Sequence, residues 1–335
     1  MADLDLLRRT LVLAERAENP SPNPRVGALV VRGKSIVGQG FHEAAGKPHA
    51  EVRALEQAGK RAKGATLFVN LEPCNVAGRT PPCTSAIFRA GIARVVFGLR
   101  DPTRAGGGGD FLRRKGIRVY QLGAKECRGG NQVWLKNVQT HLPFVTLKLA
   151  LDSTGSSLPG PGKRWITGVA ARRKVGRFRR AQDAIAVGVK TILADDPCLT
   201  VRGLKVRSQP VRLVFDPQGR VPGSAKIFRQ PGRTILITRQ PLRGSGAENL
   251  VVKDFQLRLV LARLYAQGIG SILLEGGEFT AGRFLGQGLI DRVLVFQHHA
   301  GKNPPLVCGC QVFRGSFRRE EVGADTLFKK NLKVW

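Results

Sequence analysis

The residues with the most evident chemistry are His49-Ala50-Glu51, Pro73-Cys74 and, across eight intervening residues, Cys83. One imidazole and two thiols supply the three protein ligands of a catalytic zinc and leave a fourth position for water. Glu51 stands two residues from the imidazole, where a carboxylate is better suited to moving protons than to binding the metal. A surface histidine and two ordinary buried cysteines would account for each residue singly. They would not account for a Pro-Cys pair followed by a second cysteine just ahead of a helical stretch.

The elements that must position these residues are legible nearby. Pro48 followed by HAEVRALEQAG predicts a helix whose Val52 and Leu55 lie on its apolar side. Residues two apart do not share a helix face, so His49 and Glu51 reach one centre from different sides. Pro81 and Pro82 lead into a second helix that begins at Cys83. Thiolates at helix starts gain from the positive end of the dipole, which favours metal binding. A His/Cys/Cys zinc beside an acid/base glutamate is the apparatus of nucleobase deamination.

At 335 residues the chain is long enough for two domains. The expected boundary divides residues 1–141 from 142–335. The opening MADLDLLRRT reads as an amphipathic helix start, not a secretory signal, and no apolar run approaches membrane-spanning length. Six cysteines dispersed over this length argue against a disulfide framework and for a cytoplasmic protein. Cys308-Gly-Cys310 near His298-His299 has weak metal-site spacing, and ordinary cysteines are the preferred reading. The net charge is +31, with 23 basic against 11 acidic residues in 1–143 and 32 against 13 in 144–335. Both halves therefore attract anions: a phosphorylated substrate, a dinucleotide or nucleic acid. A compositional bias toward arginine would leave the same signature.

Taken in order, the first half predicts a helix over 3–18, a breaking loop PSPNPRVG, and two strands, VGALVV and SIVGQGF, around the turn RGKS. Asn23 falls in the loop and His42 follows the second strand. After the His49 helix come the strand ATLFVNL, the Cys83 helix, the strand ARVVFG, a glycine-rich stretch AGGGGD and the strand IRVY. AGGGGD lacks the GKT/S lysine of a phosphate loop and reads as a flexible connection. A sheet with helices on both faces fits this half. The second half opens on the strand PFVTLKLAL. It continues through RWITG, the arginine-rich helix ARRKVGRFRR, the strand AIAVG, TILADDPCLTVR, the strands VRLVFD and TILIT, a helix near 256–267, and SILLEGG before a further helix. Small residues after that last strand let a pyrophosphate approach a helix N-terminus, although no G-x-G-x-x-G follows a strand.

NLEPCNVAGRTPPC, after PHAEV and PNPRVG, resembles the deaminase half of the bifunctional deaminase/reductase family of riboflavin biosynthesis. WITG, DAI-x-VG, T-x-LADDP-x-LTVR and LLEGG resemble its reductase half, so the resemblance covers nearly the whole chain. It implies an α/β protein with an N-terminal cytidine-deaminase-like three-layer domain followed by a dihydrofolate-reductase-like domain. It further implies zinc on His49, Cys74 and Cys83, proton transfer by Glu51, and substrate contacts from Asn23, His42 and Arg79. In the reductase half the cofactor NADPH would meet Ala150, Trp165, Thr191, Asp195 and Gly277. Substrate would meet Lys148, Lys163, Arg179, Leu199, Arg202 and Glu275, with Arg180 an alternative to Arg179. Paired hydrogen bonds to a phosphate are the reading of Arg202 and Arg179.

The chain departs from the family pattern at Asn75-Val76, where Ser-His is usual, and at Thr154, where an aspartate is usual. The glycine-rich segment is also shorter than the family's loop. The resemblance implies hydrolysis of the 2-amino group of a diaminopyrimidinone ribosyl phosphate, followed by NADPH-dependent reduction of the ribosyl chain. Two other readings stand beside it: a nucleic-acid base deaminase, and a basic non-catalytic interaction protein descended from the enzyme. The long cysteine spacer and sparse aromatics for base stacking speak against a nucleic-acid partner. No membrane partner is expected. The oligomeric state, a homo-oligomer included, is left open.

Overall fold

The computed structural model describes residues 2–17, 19–78, 80–157, 165–242, 244, 246–298 and 316–335. Two of the expected site residues, Arg79 and Lys163, lie outside the described residues, as do His299, Cys308 and Cys310. The chain divides into two compact units, Met1–Thr140 with Trp335, and His141–Val334. Among the described residues no helix is long and apolar enough to cross a membrane.

The first unit contains α1 (Asp3–Ala14), β1 (Gly27–Arg32), β2 (Ser35–Phe41), α2 (Ala50–Ala58), β3 (Thr66–Leu71), α3 (Cys83–Arg89), β4 (Arg94–Leu99), α4 (Gly108–Arg114), β5 (Arg118–Gln121), α5 (Ala124–Gly130) and α6 (Gln132–Thr140). The strands form one sheet in the order β2-β1-β3-β4-β5. β1 is antiparallel to both neighbours, and β3, β4 and β5 run parallel. Alternation along the strands separates two apolar layers. Ala28, Val30, Leu67, Val69, Val95 and Phe97 meet the side of α2, α3 and α4. Leu29, Val31, Phe68 and Val96 meet Leu6 and Leu13 of α1. This is a three-layer arrangement, with helices on both faces as the sequence predicts.

Two close approaches seat the site-bearing helices. β2 presents Gly38 and Gly40 to α2, and a Cβ on them would lie 2.1 Å from the Ala54 carbonyl oxygen and 2.5 Å from that of Ala50. Only glycine lets the helix carrying Glu51 settle this deeply on the sheet. The second approach corrects the reading of AGGGGD as a flexible connection. Gly107 takes a left-handed conformation and α4 begins at the next residue. A Cβ on buried Gly108 would stand 1.9 Å from the Pro73 carbonyl oxygen. The Gly109 N–H also donates to Glu72 Oε1 at 3.0 Å. The glycines are a packing surface for the backbone just before Cys74.

The second unit contains β6 (Phe144–Leu151), α7 (Val169–Arg180), β7 (Ala184–Gly188), α8 (Val189–Asp195), β8 (Val211–Phe215), β9 (Thr234–Thr238), β10 (Glu248–Val251), α9 (Leu257–Ala266), β11 (Ser271–Leu274), α10 (Glu278–Gly286), β12 (Arg292–His298), β13 (Arg318–Val322) and β14 (Asp325–Asn331). Its nine strands are ordered β10-β9-β8-β7-β11-β6-β12-β14-β13. All neighbours are parallel except β12 with β14 and β14 with β13. Near-continuous apolar strands such as Ala184–Gly188 and Thr234–Thr238 are buried throughout, as expected for parallel strands covered on both faces. α9 and α10 pack into one core with Val145, Leu147 and Ile272. α7 packs through Ala171 and Val175 on Leu294 and Phe296 of the other face.

Candidate active sites

In the first unit, the zinc-ligand candidates arrive from three elements. His49 is the N-cap residue of α2, Cys74 follows β3, and Cys83 is the first residue of α3. Their ligand atoms all lie within 4.8 Å of one another. His49 Nδ1 is 3.2 Å from Cys83 Sγ and 3.6 Å from Cys74 Sγ. Tetrahedral zinc, with Zn–S of about 2.3 Å and Zn–N of about 2.0–2.1 Å, would separate such atoms by roughly 3.5–3.8 Å. The donor set therefore fits the metal. Helix-start support is direct for Cys83 and indirect for Cys74, which lies off the helix but receives the Cys83 N–H on its sulfur at 3.3 Å.

The electrostatics also favour a cation here. The Cys83 thiol and the His49 imidazole hydrogen-bond the Cys74 thiol and hold it well below its ordinary pKa. The same Cys74 interaction, together with burial, drives the Cys83 thiol far up. Two adjacent thiolates are incompatible until a positive ion stands between them. Burial pushes Glu51 up to about 7, against the lowering influence of His49.

A pocket of about 190 Å³ opens beside the ligands, lined by Asn23, His42, His49, Glu51, Cys74 and Asp101 among others. Asn23 Nδ2 donates to His42 Nε2 at 2.9 Å. His42 Nδ1 can then only be the protonated nitrogen facing the Pro48 carbonyl at 3.3 Å. Burial keeps this imidazole neutral by lowering its pKa. The Asn23 loop is tied down by two buried asparagines: Asn70 Nδ2 and Asn131 Nδ2 both donate to the Arg25 carbonyl, at 2.8 and 3.1 Å. The structure adds Glu72, Asp101, Thr103 and Trp134 to the pocket wall. Glu72 accepts the Asp101 N–H as well as that of Gly109. A glutamate directly before Pro-Cys was the available signal for this clamp. Val76 is 49 % exposed and is not among the pocket-lining residues.

In the second unit the expected residues collect at the carboxyl ends of parallel strands, where open α/β sheets bind ligands. Lys148 and Ala150 lie late in β6; Thr191 and Asp195 lie on α8, directly after β7; Glu275 and the α10 N-cap Gly277 follow β11. Leu199 is buried with φ of 48°, a left-handed conformation costly for a leucine and typical of functional segments. Arg202 is exposed, with Nε 3.4 Å from Thr200 Oγ1. Trp165 is 54 % exposed and stacks under the Arg172 guanidinium.

Arg179 is bonded within the protein, a partnership the sequence did not indicate. Its Nε and one terminal nitrogen bind both oxygens of Glu275 at 2.7 and 2.8 Å, and the other terminal nitrogen donates to the Thr200 carbonyl at 2.9 Å. These bonds use three of the five guanidinium N–H donors and fix the orientation of the Glu275 carboxylate. Despite desolvation, Arg179 and Lys148 hold the Glu275 carboxyl below its ordinary range. Burial in turn lowers Lys148, with Glu275 opposing. Arg180 reaches the Lys205 carbonyl instead. Thr154 caps a tight turn, its N–H and Oγ1 both on Asp152 Oδ1 at 2.9 and 2.7 Å.

The chain also has clear relatives among known proteins. Residues 1–99 match the cytidine and deoxycytidylate deaminase zinc-binding region, and residues 143–310 match the RibD C-terminal domain. The riboflavin biosynthesis protein RibD of Aquifex aeolicus is 43 % identical over 307 residues, covering 88 % of this chain and 86 % of that protein. The Escherichia coli RibD is 39 % identical over 320 residues, covering 88 % and 87 %. The crystal structure of a diaminohydroxyphosphoribosylaminopyrimidine deaminase/5-amino-6-(5-phosphoribosylamino)uracil reductase from Thermotoga maritima superposes with a TM-score of 0.86 at 32 % identity, covering 98 % of each chain. The chain belongs to the RibD family of riboflavin biosynthesis proteins.

Proposed function

We propose that this chain performs both family steps on one phosphorylated pyrimidine: deamination by residues 1–141, then reduction by residues 142–335. The substrate is 2,5-diamino-6-ribosylamino-4(3H)-pyrimidinone 5′-phosphate, and the ribosyl chain of the deaminated product is reduced to ribityl. The observation that carries the reading is the clustering of the His49, Cys74 and Cys83 ligand atoms within 4.8 Å, beside a pocket lined by Glu51, in a chain whose second half matches the RibD C-terminal domain. Both steps are placed in the cytoplasm, in keeping with free cysteines at 74, 83, 127 and 198.

His49, Cys74 and Cys83 would hold a zinc, which would supply the Lewis acidity that activates a water. Glu51, buried and poised near neutrality, takes a proton from that water and passes it to ring N3; it then takes the proton of the hydroxyl added at C2 and gives it to the amino group, which leaves as ammonia. Asn23 and neutral His42 present fixed polar edges to the pyrimidine, with Arg79 assigned to the same substrate. Ala150, Trp165, Thr191, Asp195 and Gly277 would hold NADPH, which would supply the hydride for the second step. Lys148, Lys163, Leu199, Arg202 and Glu275 hold the ribosyl phosphate, and Arg179 fixes the Glu275 carboxylate. Ammonia release from the diamino substrate, compared between wild type and Glu51→Gln, tests the first step. Turnover in wild type and its loss in a zinc-replete variant are expected; equal rates would remove Glu51 from the mechanism.

A further inference from the structure

The second unit holds a histidine–carboxylate pair that none of the assigned positions uses. His298 ends β12 and stands opposite Asp325, the first residue of β14, in their antiparallel pairing. His298 Nδ1 is 2.9 Å from Asp325 Oδ1. Asp325 is wholly buried, and its Oδ2 accepts the N–H of Gly168, the α7 N-cap residue, at 2.8 Å. A carboxylate anchored at both oxygens fixes the ring orientation. It also makes Nδ1 the protonated nitrogen, leaving Nε2 to exchange protons. The His298 side chain is 44 % exposed, so a ligand or water can reach it.

Its placement matters as much as its geometry. β12 runs parallel to β6 with Gln297 beside Leu151. His298 is therefore level with Asp152, two residues beyond Ala150 and on the same pleat face. Gly168 lies three residues after Trp165. The pair thus stands between the two segments that carry the assigned cofactor positions Ala150 and Trp165. The bordering carboxylates are otherwise engaged: Asp152 Oδ1 receives Thr154 and Ser156, and Glu321 receives Thr326 Oγ1.

We propose that His298, oriented by Asp325, relays the proton of the reductase step; this rests on the reductase reading above. C1′ of the opened ribosyl chain, double-bonded to its heteroatom, accepts a hydride from the dihydronicotinamide, which becomes the oxidised nicotinamide. The π bond breaks, its electron pair moves to the heteroatom, and that atom takes one proton from Nε2 of the His298 imidazolium, directly or through one water. The neutral imidazole regains its proton from solvent.

The test uses the full chain and its His298→Ala and His298→Gln variants, with ammonia release as the control for folding. NADPH-dependent kcat should fall about a hundredfold in both variants, while the KM for NADPH changes less than about threefold. Added imidazole should restore about tenfold of the lost rate in His298→Ala. In chains carrying 13C-labelled histidine, the ring resonance missing from His298→Ala should shift when NADP+ is added to wild type. A kcat within about twofold of wild type, a loss that imidazole does not rescue, or an unmoved resonance would each overturn the relay. Wild type that neither binds nor oxidises NADPH would overturn the reductase reading and the relay with it.

Discussion

At the residue scale, the His49/Cys74/Cys83 centre is a set of groups that oppose one another electrostatically until a cation joins them. Elemental analysis should therefore find one zinc per wild-type chain and none in His49→Ala or Cys83→Ala, because two remaining ligands hold the metal poorly. Full occupancy in Cys83→Ala would remove that thiol from the ligand set. This centre was legible because residue type and spacing state the chemistry directly. Arg179 was legible only as a cation: the pattern could not say that Glu275, 96 residues later, would occupy its guanidinium. The folded pKa of Glu275 is depressed, so the stability it contributes is present above its unfolded value near 4.3 and is lost as pH falls through the folded one. Glu275→Gln should destabilise the second unit by about 3 kcal/mol at pH 7, since it leaves a buried guanidinium without its counter-charge. The difference from wild type should shrink toward pH 3. A gap independent of pH would deny the ion pair that role.

At the scale of elements, most strands and the site helices were readable from apolar periodicity and proline entries. AGGGGD was not, because glycine permits both a mobile connection and a tight backbone contact, and only the partner strand decides between them. The contact of Gly108 with the Pro73 carbonyl makes a specific prediction. Gly108→Ala should displace the backbone next to Cys74 at a cost of about 1–3 kcal/mol. Ammonia release should drop at least about tenfold, with NADPH oxidation of the deaminated substrate unchanged. Gly129→Ala, where a Cβ meets nothing within 4 Å, is the matched control. Equal deaminase loss in both variants would show that the effect is not specific to that contact. Thr154 was read as a missing aspartate, yet it caps the Asp152 turn through its hydroxyl. Thr154→Val should accordingly cost little stability and less than about tenfold in reductase rate. A larger rate loss would place the hydroxyl in the chemistry itself.

At the scale of the whole molecule, the two-part order of the chain was visible in its motifs, whereas the pairing of β12 with β14 joins residues far apart in sequence that no local pattern brings together. The +31 charge is spread over both halves. Each half also carries a site assigned to a phosphorylated ligand, so the field is expected to gather small anions. Single-stranded RNA should bind weakly in filter assays at physiological salt and leave ammonia release unchanged. Sub-micromolar, steeply salt-dependent binding that blocks deamination would indicate a nucleic-acid partner instead. The central claim is that one chain deaminates and then reduces the same nucleotide. It is tested most directly by supplying the purified chain with the diaminopyrimidinone ribosyl phosphate and NADPH while following ammonia and NADPH together. The account predicts that ammonia appears first and that one NADPH is then consumed per ammonia, with Glu51→Gln abolishing both and regaining NADPH oxidation when given the deaminated substrate. Ammonia release with no NADPH consumption, or NADPH oxidation that proceeds from the diamino substrate at full rate in Glu51→Gln, would contradict it.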